Sequence, residues 1–400
     1  MTADLLTLSA RFIDEGVADG PVNRVTGELS ELADDLAVVE AFSHVIVIRT
    51  AAGLVLFDTS AAAFGPRVQE SLRAWTDDAV AALVYTHGHV DHVGGAPVFI
   101  AEAEANATPR PRVIGHENVV ARFDRYDLTN GYNGVINHRQ FGRTRLGMST
   151  PEWFSDWVRP DTVVGTASTI RVGDLSVDLR HSLGETDDHL WGWLPDTKTI
   201  IAGDFLTWVF PNAGNPQKVQ RYPAEWAKAL RDMAALEPEL LIPAHGLPIG
   251  GKARIATVLD DVARALETLV DQTLRLMNEG ARLDDVIHAV RVPDDLMAKP
   301  YLAPVYDEPE FVVRNIWRLY GGWYDGNPAR LKPAPDALLA AEIAALAGGS
   351  QALADRAAEL SAAGDHRVAC QLVEWATQAA PDDASVHEVR AAVYLARRRT

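Results

Sequence analysis

Thr86-His87-Gly88-His89-Val90-Asp91-His92-Val93-Gly94-Gly95 follows directly on the apolar run 80–85, Val-Ala-Ala-Leu-Val-Tyr. A short strand therefore delivers three imidazoles and a carboxylate into one tight turn. Packing gives no reason to gather those groups within six residues, whereas a metal ion does. Neutral imidazole and carboxylate suit zinc, and also manganese or iron. A His-Gly-His turn can present two imidazoles to one ion and leave Asp91 and His92 for another. Gly88, Gly94 and Gly95 permit a sharp, exposed loop. The plain alternative is a surface loop that happens to be rich in histidine.

Upstream of this turn, residues 38–50 and 54–58 are β-rich runs that pair as a hairpin around Ala51-Ala52-Gly53, the second ending at Asp58-Thr59-Ser60. Residues 64–75 read as a helix. Downstream, further strands are expected at 169–172, 175–180, 190–194 and 199–202, punctuated by Gly173-Asp174 and Pro195-Asp196. An amphipathic helix at 222–236 then leads to a strand at 240–243 and to Ala244-His245-Gly246. Strands, helices and polar residues at strand ends point to an α/β layered domain. From Ile255 the pattern changes: Ile255, Val258, Leu259, Val262, Leu266, Leu269, Val270 and Leu274 recur at helical spacing. The Ala-rich segment from Leu338 reads as paired helices with turns at Gly364-Asp365 and Pro381-Asp382, in a pattern like one tetratricopeptide unit. Two domains are expected, 1–254 and 255–400.

The 55 Asp plus Glu against 37 Lys plus Arg give 400 residues a net charge of −18, which argues against nucleic acid or an anionic membrane as a partner. The single cysteine, Cys370, excludes an intrachain disulfide, Fe–S ligation and a multi-Cys zinc site. The N-terminus lacks a basic region followed by an apolar one, and no window reaches the ~18 apolar residues of a membrane span. A soluble, cytoplasmic protein is expected.

The segment 86–95 resembles the signature Thr-His-x-His-x-Asp-His-x-Gly-Gly of the metallo-β-lactamase superfamily. The resemblance extends through Asp58, Gly203-Asp204 and Pro243-Ala244-His245-Gly246, covering about 38–250. It implies an αββα sandwich holding two zinc ions, with His87 and His89 at one, Asp91, His92 and His245 at the other, and Asp204 bridging. The third donor of the first position is usually the histidine of Gly-His-Thr. This chain has Gly184-Glu185-Thr186 there, which resembles the alkyl sulfatase branch, where Glu serves. His181 and His189 are the rivals. Asp204 departs from that branch, which commonly carries Glu as the bridge. Trp317-Arg318-Leu319-Tyr320-Gly321-Gly322-Trp323-Tyr324-Asp325-Gly326-Asn327-Pro328 resembles the motif of the alkyl sulfatase dimerisation domain. The resemblance thus implies an all-α dimerisation domain after the catalytic one, and a homodimer.

Between the metal motifs, Tyr132, Asn133, Asn137 and Arg139 lie in a run dense in Tyr, Asn, His and Arg. Asn212, Asn215, Lys218 and Arg221 form a second group after Asp204. Such groups can orient an anionic substrate and stabilise developing charge. Tyr132 and Asn133 are candidates beside Asp91 for catalysis, and the other six for substrate binding. Two zinc ions balanced by Asp91, Glu185, Asp204 and one hydroxide leave about zero net charge, so a sulfate ester needs cations such as Arg139, Lys218 or Arg221. Of Trp153, Trp157, Trp191, Trp193 and Trp208 some belong to the core, while Trp153-Phe154 and Trp208 to Phe210 flank the proposed site elements, so that a few could line an apolar slot for an alkyl or aryl group. The expected function is dinuclear zinc hydrolysis of alkyl or aryl sulfate esters by a metal-bound hydroxide. A lactonase, phosphodiesterase or thioesterase on the same scaffold is the first alternative, and a non-haem iron oxidoreductase the second.

Overall fold

The computed structural model describes residues 4–140 and 153–398. Seven strands run in chain order across the first sheet: β1 Leu29–Ala33, β2 Leu36–Val39, β3 Val45–Thr50, β4 Gly53–Phe57, β5 Val80–Val84, β6 Arg112–His116 and β7 Thr162–Val164. Pairing is antiparallel up to β4 and parallel from β4 to β7. The second sheet holds β8 Ala167–Val172, β9 Leu175–His181, β10 Leu190–Leu194, β11 Thr199–Gly203, β12 Leu240–Pro243 and β13 Ile249–Gly250, in reverse spatial order. Its one parallel pair is β11 with β12, and that pair sets Asp204 and His245 side by side just beyond the strand ends.

Period-2 alternation distributes the apolar residues to two faces. In β4, Val55 and Phe57 enter a core shared with Val177, Leu179, Leu190 and Ile201 of the second sheet, while Leu54 and Leu56 turn outward. That outer face is covered by Val68 and Leu72 of the helix Gly65–Trp75 and by Phe99 of the helix Ala96–Ala105. On the far side, Trp191, Ile200, Ala202 and Leu241 pack on Trp226, Leu230 and Met233 of the helix Pro223–Ala234. Both faces of both sheets are therefore buried, and the domain is the αββα sandwich expected.

The long helix Lys252–Asn278 continues this last layer: Ile255, Val258, Leu259, Val262 and Leu266 join the same core as Trp226 and Leu230. The helix Pro309–Gly321 adds Val312, Val313 and Ile316. Consequently the first compact unit extends from Met1 to Trp323, past the division at 254/255 that the change of periodicity suggests. Tyr324–Thr400 forms the second unit, with helices Asp336–Ala347, Ser350–Ala362, His366–Ala379 and Ala384–Arg397 around small cores such as Ala357, Ala369, Cys370 and Val373. Among the described residues no single helix is long and apolar enough to cross a membrane.

Candidate metal centre

The candidate donors gather at one end of the sandwich, most just past strand ends, with Asp91 and His92 on the short helix Val90–Val93 and Glu185 in the connection from β9 to β10. β4 ends in Asp58, β5 runs into His87 and His89, β11 into Asp204, and β12 into His245. Asp58, fully buried at φ +60°, accepts from Thr86 N at 2.7 Å and Thr86 Oγ1 at 2.8 Å. Its Oδ2 also lies 2.7 Å from His92 Nδ1. That contact fixes the ring so that Nε2 faces the cluster. Because the Thr86 hydroxyl is given to Asp58, the Thr86 oxygen is left to accept from His87 Nδ1 at 3.0 Å. His87 Nε2 is then a lone pair, directed inward.

Two groups of donors result. His87, His89, Glu185 and Asp204 each bring one ligand atom within 4.8 Å of the others, and so do Asp91, His92 and His245. His87 Nε2 is 2.8 Å from His89 Nδ1 and 3.9 Å from both Glu185 Oε2 and Asp204 Oδ2. In the second group, Asp91 Oδ2 is 3.7 Å from His92 Nε2 and 3.4 Å from His245 Nε2. Asp204 reaches both groups, with Oδ2 3.5 Å from His92 Nε2 and Oδ1 3.7 Å from His245 Nε2. Neither His181 nor His189 joins a donor group, although His189 borders the first, its ring stacked on His87 with centroids 4.6 Å apart. His181 stacks on His116 with ring centroids 3.8 Å apart, and His189 Nε2 accepts from Asp204 N at 3.0 Å.

Three buried ligand atoms, His92 Nε2, Glu185 Oε2 and Asp204 Oδ1, have no hydrogen-bond partner. Orphaned polar atoms in a dry interior are costly, yet here they converge. Glu185 Oε2 faces the first group, and His92 Nε2 and Asp204 Oδ1 the second, so one cation in each satisfies all three and the donor set fits the metals that the sequence implies. The electrostatics agree. Burial drives His87 and His89 well below the usual imidazole value, which keeps them neutral donors. Burial also opposes charge on Asp204 and His92, but their mutual attraction wins, holding Asp204 below the carboxylate range and His92 well above 6.5.

The expected substrate groups divide. Lys218 donates to Asn137 Oδ1 at 3.1 Å; burial lowers its ammonium pKa while Asp91 opposes the shift. Asn212 and Arg221 are taken up by Glu185 instead: Asn212 Nδ2 donates to Oε1, and Arg221 NH1 lies 2.6 Å from that oxygen. Asn215 caps its own turn, accepting from Gln217 N at 3.0 Å. Tyr132, Asn133, Asn137 and Arg139 fall on a helix, Asn130–Gln140. Tyr132 is 63% exposed, Arg139 is exposed, and Asn133 donates to Thr129 Oγ1 at 3.0 Å. Tyr132 and Asn133 make no described contact with the donor cluster. Trp191, Trp193 and Trp208 are core residues rather than slot lining.

A buried pair went unread in the sequence. Arg122 Nε donates to Asp188 Oδ2 at 2.8 Å, and Gly88 N donates to that same oxygen at 3.0 Å. The His87-Gly88-His89 turn is thereby held from below, and a Cβ on Gly88 would meet Arg122 Cδ at 2.9 Å. The available signal was Arg122 on an apolar stripe with Val119 and Phe123.

Fold and site together define a sandwich with two adjoining donor clusters at its strand ends. The chain belongs to the metallo-beta-lactamase superfamily, whose profile matches residues 38–245, and an alkyl sulfatase dimerisation profile matches 282–400. A linear primary-alkylsulfatase of Pseudomonas sp. is 28% identical over 361 residues, covering 86% of this chain and 68% of that protein. An alkyl/aryl-sulfatase of Saccharomyces cerevisiae is 26% identical over 384 residues, covering 89% and 56%. Among solved structures, the stereoselective inverting sec-alkylsulfatase of Pseudomonas sp. superposes with a TM-score of 0.81 at 23% identity, over 92% of this chain and 61% of that one. That likeness is one of fold. The chain spans about half to two thirds of the length of these relatives.

Proposed function

We propose that the protein is a dinuclear zinc hydrolase of alkyl or aryl sulfate esters. The observation that carries this reading is the pair of donor clusters linked by Asp204, with Glu185 among the donors and three buried ligand atoms that have no hydrogen-bond partner. Similarity to curated alkyl sulfatases supports the ester class. Two divalent ions held here would supply Lewis acidity and a water with a pKa near neutrality.

The chain's own residues have separable tasks in this reading. Asp91, Glu185 and Asp204 bring three negative charges to the donors, which leaves little net charge to attract an anionic ester. Lys218 is the cation suited to that task. It is paired with the neutral Asn137 amide rather than with a carboxylate, so its charge remains available to a sulfate oxygen. Arg221 is already spent on Glu185, and Arg139 is turned to solvent. The dimerisation segment supports a homodimer.

The test is substrate profiling of the zinc-loaded chain with sulfate release as the readout. Primary and secondary alkyl sulfates and an aryl sulfate are compared with lactones, phosphodiesters and thioesters. Sulfate release from the first group is expected; turnover confined to the second would sink the sulfatase assignment and leave another hydrolase of the superfamily.

A further inference from the structure

Glu185 turns one carboxylate oxygen toward the donors and one away. Oε2 faces His87 and His89 without a hydrogen-bond partner, while Oε1 accepts from Asn212 and pairs with Arg221. Arg221 NH1 also donates to the Glu185 carbonyl at 2.7 Å. One guanidinium therefore grips both the backbone and the side chain of the same residue. With Oε1 so occupied, Glu185 can offer a metal only a single oxygen.

The main chain that carries this buried guanidinium is held from a distant part of the sequence. Asn315, buried on the helix Pro309–Gly321, donates through Nδ2 to Arg221 O at 2.9 Å and accepts from Arg221 N at 3.3 Å. One side-chain amide thus satisfies both main-chain groups of Arg221, as a neighbouring strand would. The same Oδ1 accepts from Gln220 Nε2 at 3.0 Å and Arg318 NH2 at 3.2 Å. These bonds leave the amide orientation no freedom to reverse.

We propose that Asn315 is a positioning residue for the first metal position, acting through Arg221 to hold Glu185 as a one-oxygen donor. The proposal rests on the reading of Glu185 as a metal donor. It gives the first part of the segment matched to the dimerisation family, up to Trp323 and in the same compact unit as the donors, a task at the metal position. Groups that orient a ligand from outside its coordination sphere commonly govern metal affinity by about 10–100-fold, which sets the size of effect to look for.

The experiment is zinc titration of the stripped full chain against a chromophoric chelator, with cobalt absorption as a second readout. Asn315→Leu should weaken one equivalent of zinc by about 10–100-fold and leave the other unchanged, with an altered cobalt spectrum for the weakened position. Arg221→Lys, which keeps charge but loses the fork, should act in the same direction and serves if Asn315→Leu does not fold. Both equivalents unchanged, or both weakened in parallel as for a general loss of structure, would overturn the proposal. Glu185→Gln separates the two levels. If it retains both zinc ions, the donor reading itself fails and the proposal with it; if it loses one while the Asn315 and Arg221 variants titrate normally, only the clamp is wrong.

Discussion

Asp204 differs from every other donor in reaching both clusters, with Oδ2 near His87 and His92 and Oδ1 near His245. Glu185 reaches only the first, through Oε2. This asymmetry makes a stoichiometric prediction. Asp204→Asn should weaken both zinc equivalents, whereas Glu185→Gln should weaken one, and metal analysis after dialysis against a mild chelator distinguishes them. His181→Ala should retain two, since that ring is engaged with His116 and with Asp187 O at 3.0 Å. Loss of metal from His181→Ala with retention in Glu185→Gln would reverse the assignment. Neighbouring charges explain why such single changes carry far: Asp204 and His92 each hold the other ionised in a buried site, so removing one leaves its partner with an uncompensated charge.

At the scale of the element, the strand ends set the donor spacing, and Gly203 shows how tightly. It closes β11 at φ +55°, and a Cβ there would lie 2.4 Å from His189 Cε1 and 3.0 Å from Thr86 Cβ. Gly203→Ala adds a left-handed backbone cost of about 1–2 kcal/mol and overpacking of about 1–3 kcal/mol. The urea midpoint of the metal-free protein should fall accordingly, and zinc affinity with it; an unchanged midpoint would show that the turn can relax. Much of this arrangement was legible because donors and strands are coded locally. His87 to His92 are contiguous, and apolar runs end at Asp58, Asp204 and His245. Partners far apart in sequence were not legible. Nothing near Arg221 indicates that its guanidinium meets Glu185 rather than a substrate, or that its backbone meets Asn315. The helix Asn130–Gln140 was hidden because Gly131, Gly134 and three Asn interrupt the apolar periodicity that betrays a helix. Periodicity likewise announced helices after Ile255 without saying that they would pack on Trp226 and Leu230.

The whole molecule carries seven described histidines in or near the sandwich interior whose protonation depends on folding, and they pull in opposite directions. Burial lowers His44, His116 and His189 to about 4. It drives His87 and His89 down as well. The unfolded chain protonates these rings near pH 6.5 and the folded chain does not, so between about 6.5 and about 4 the unfolded state binds more protons and acid destabilises the fold. His92 and His245 behave oppositely in the metal-free protein: burial resists their charge, but Asp204 and Asp91 raise both. Their contribution is complete below the unfolded value and is lost as pH climbs through the raised folded value. Stripped protein should therefore be most stable near neutral pH, with Tm falling on both sides between pH 4 and 9. Zinc requires deprotonated donors, so loading removes the alkaline decline by replacing the protons held on His92 and His245. Melting curves of stripped and loaded protein across that range check both limbs. A stripped protein whose Tm keeps rising to pH 9 would contradict the opposed histidine sets, and a loaded protein that still loses stability above neutrality would contradict the exchange of metal for proton.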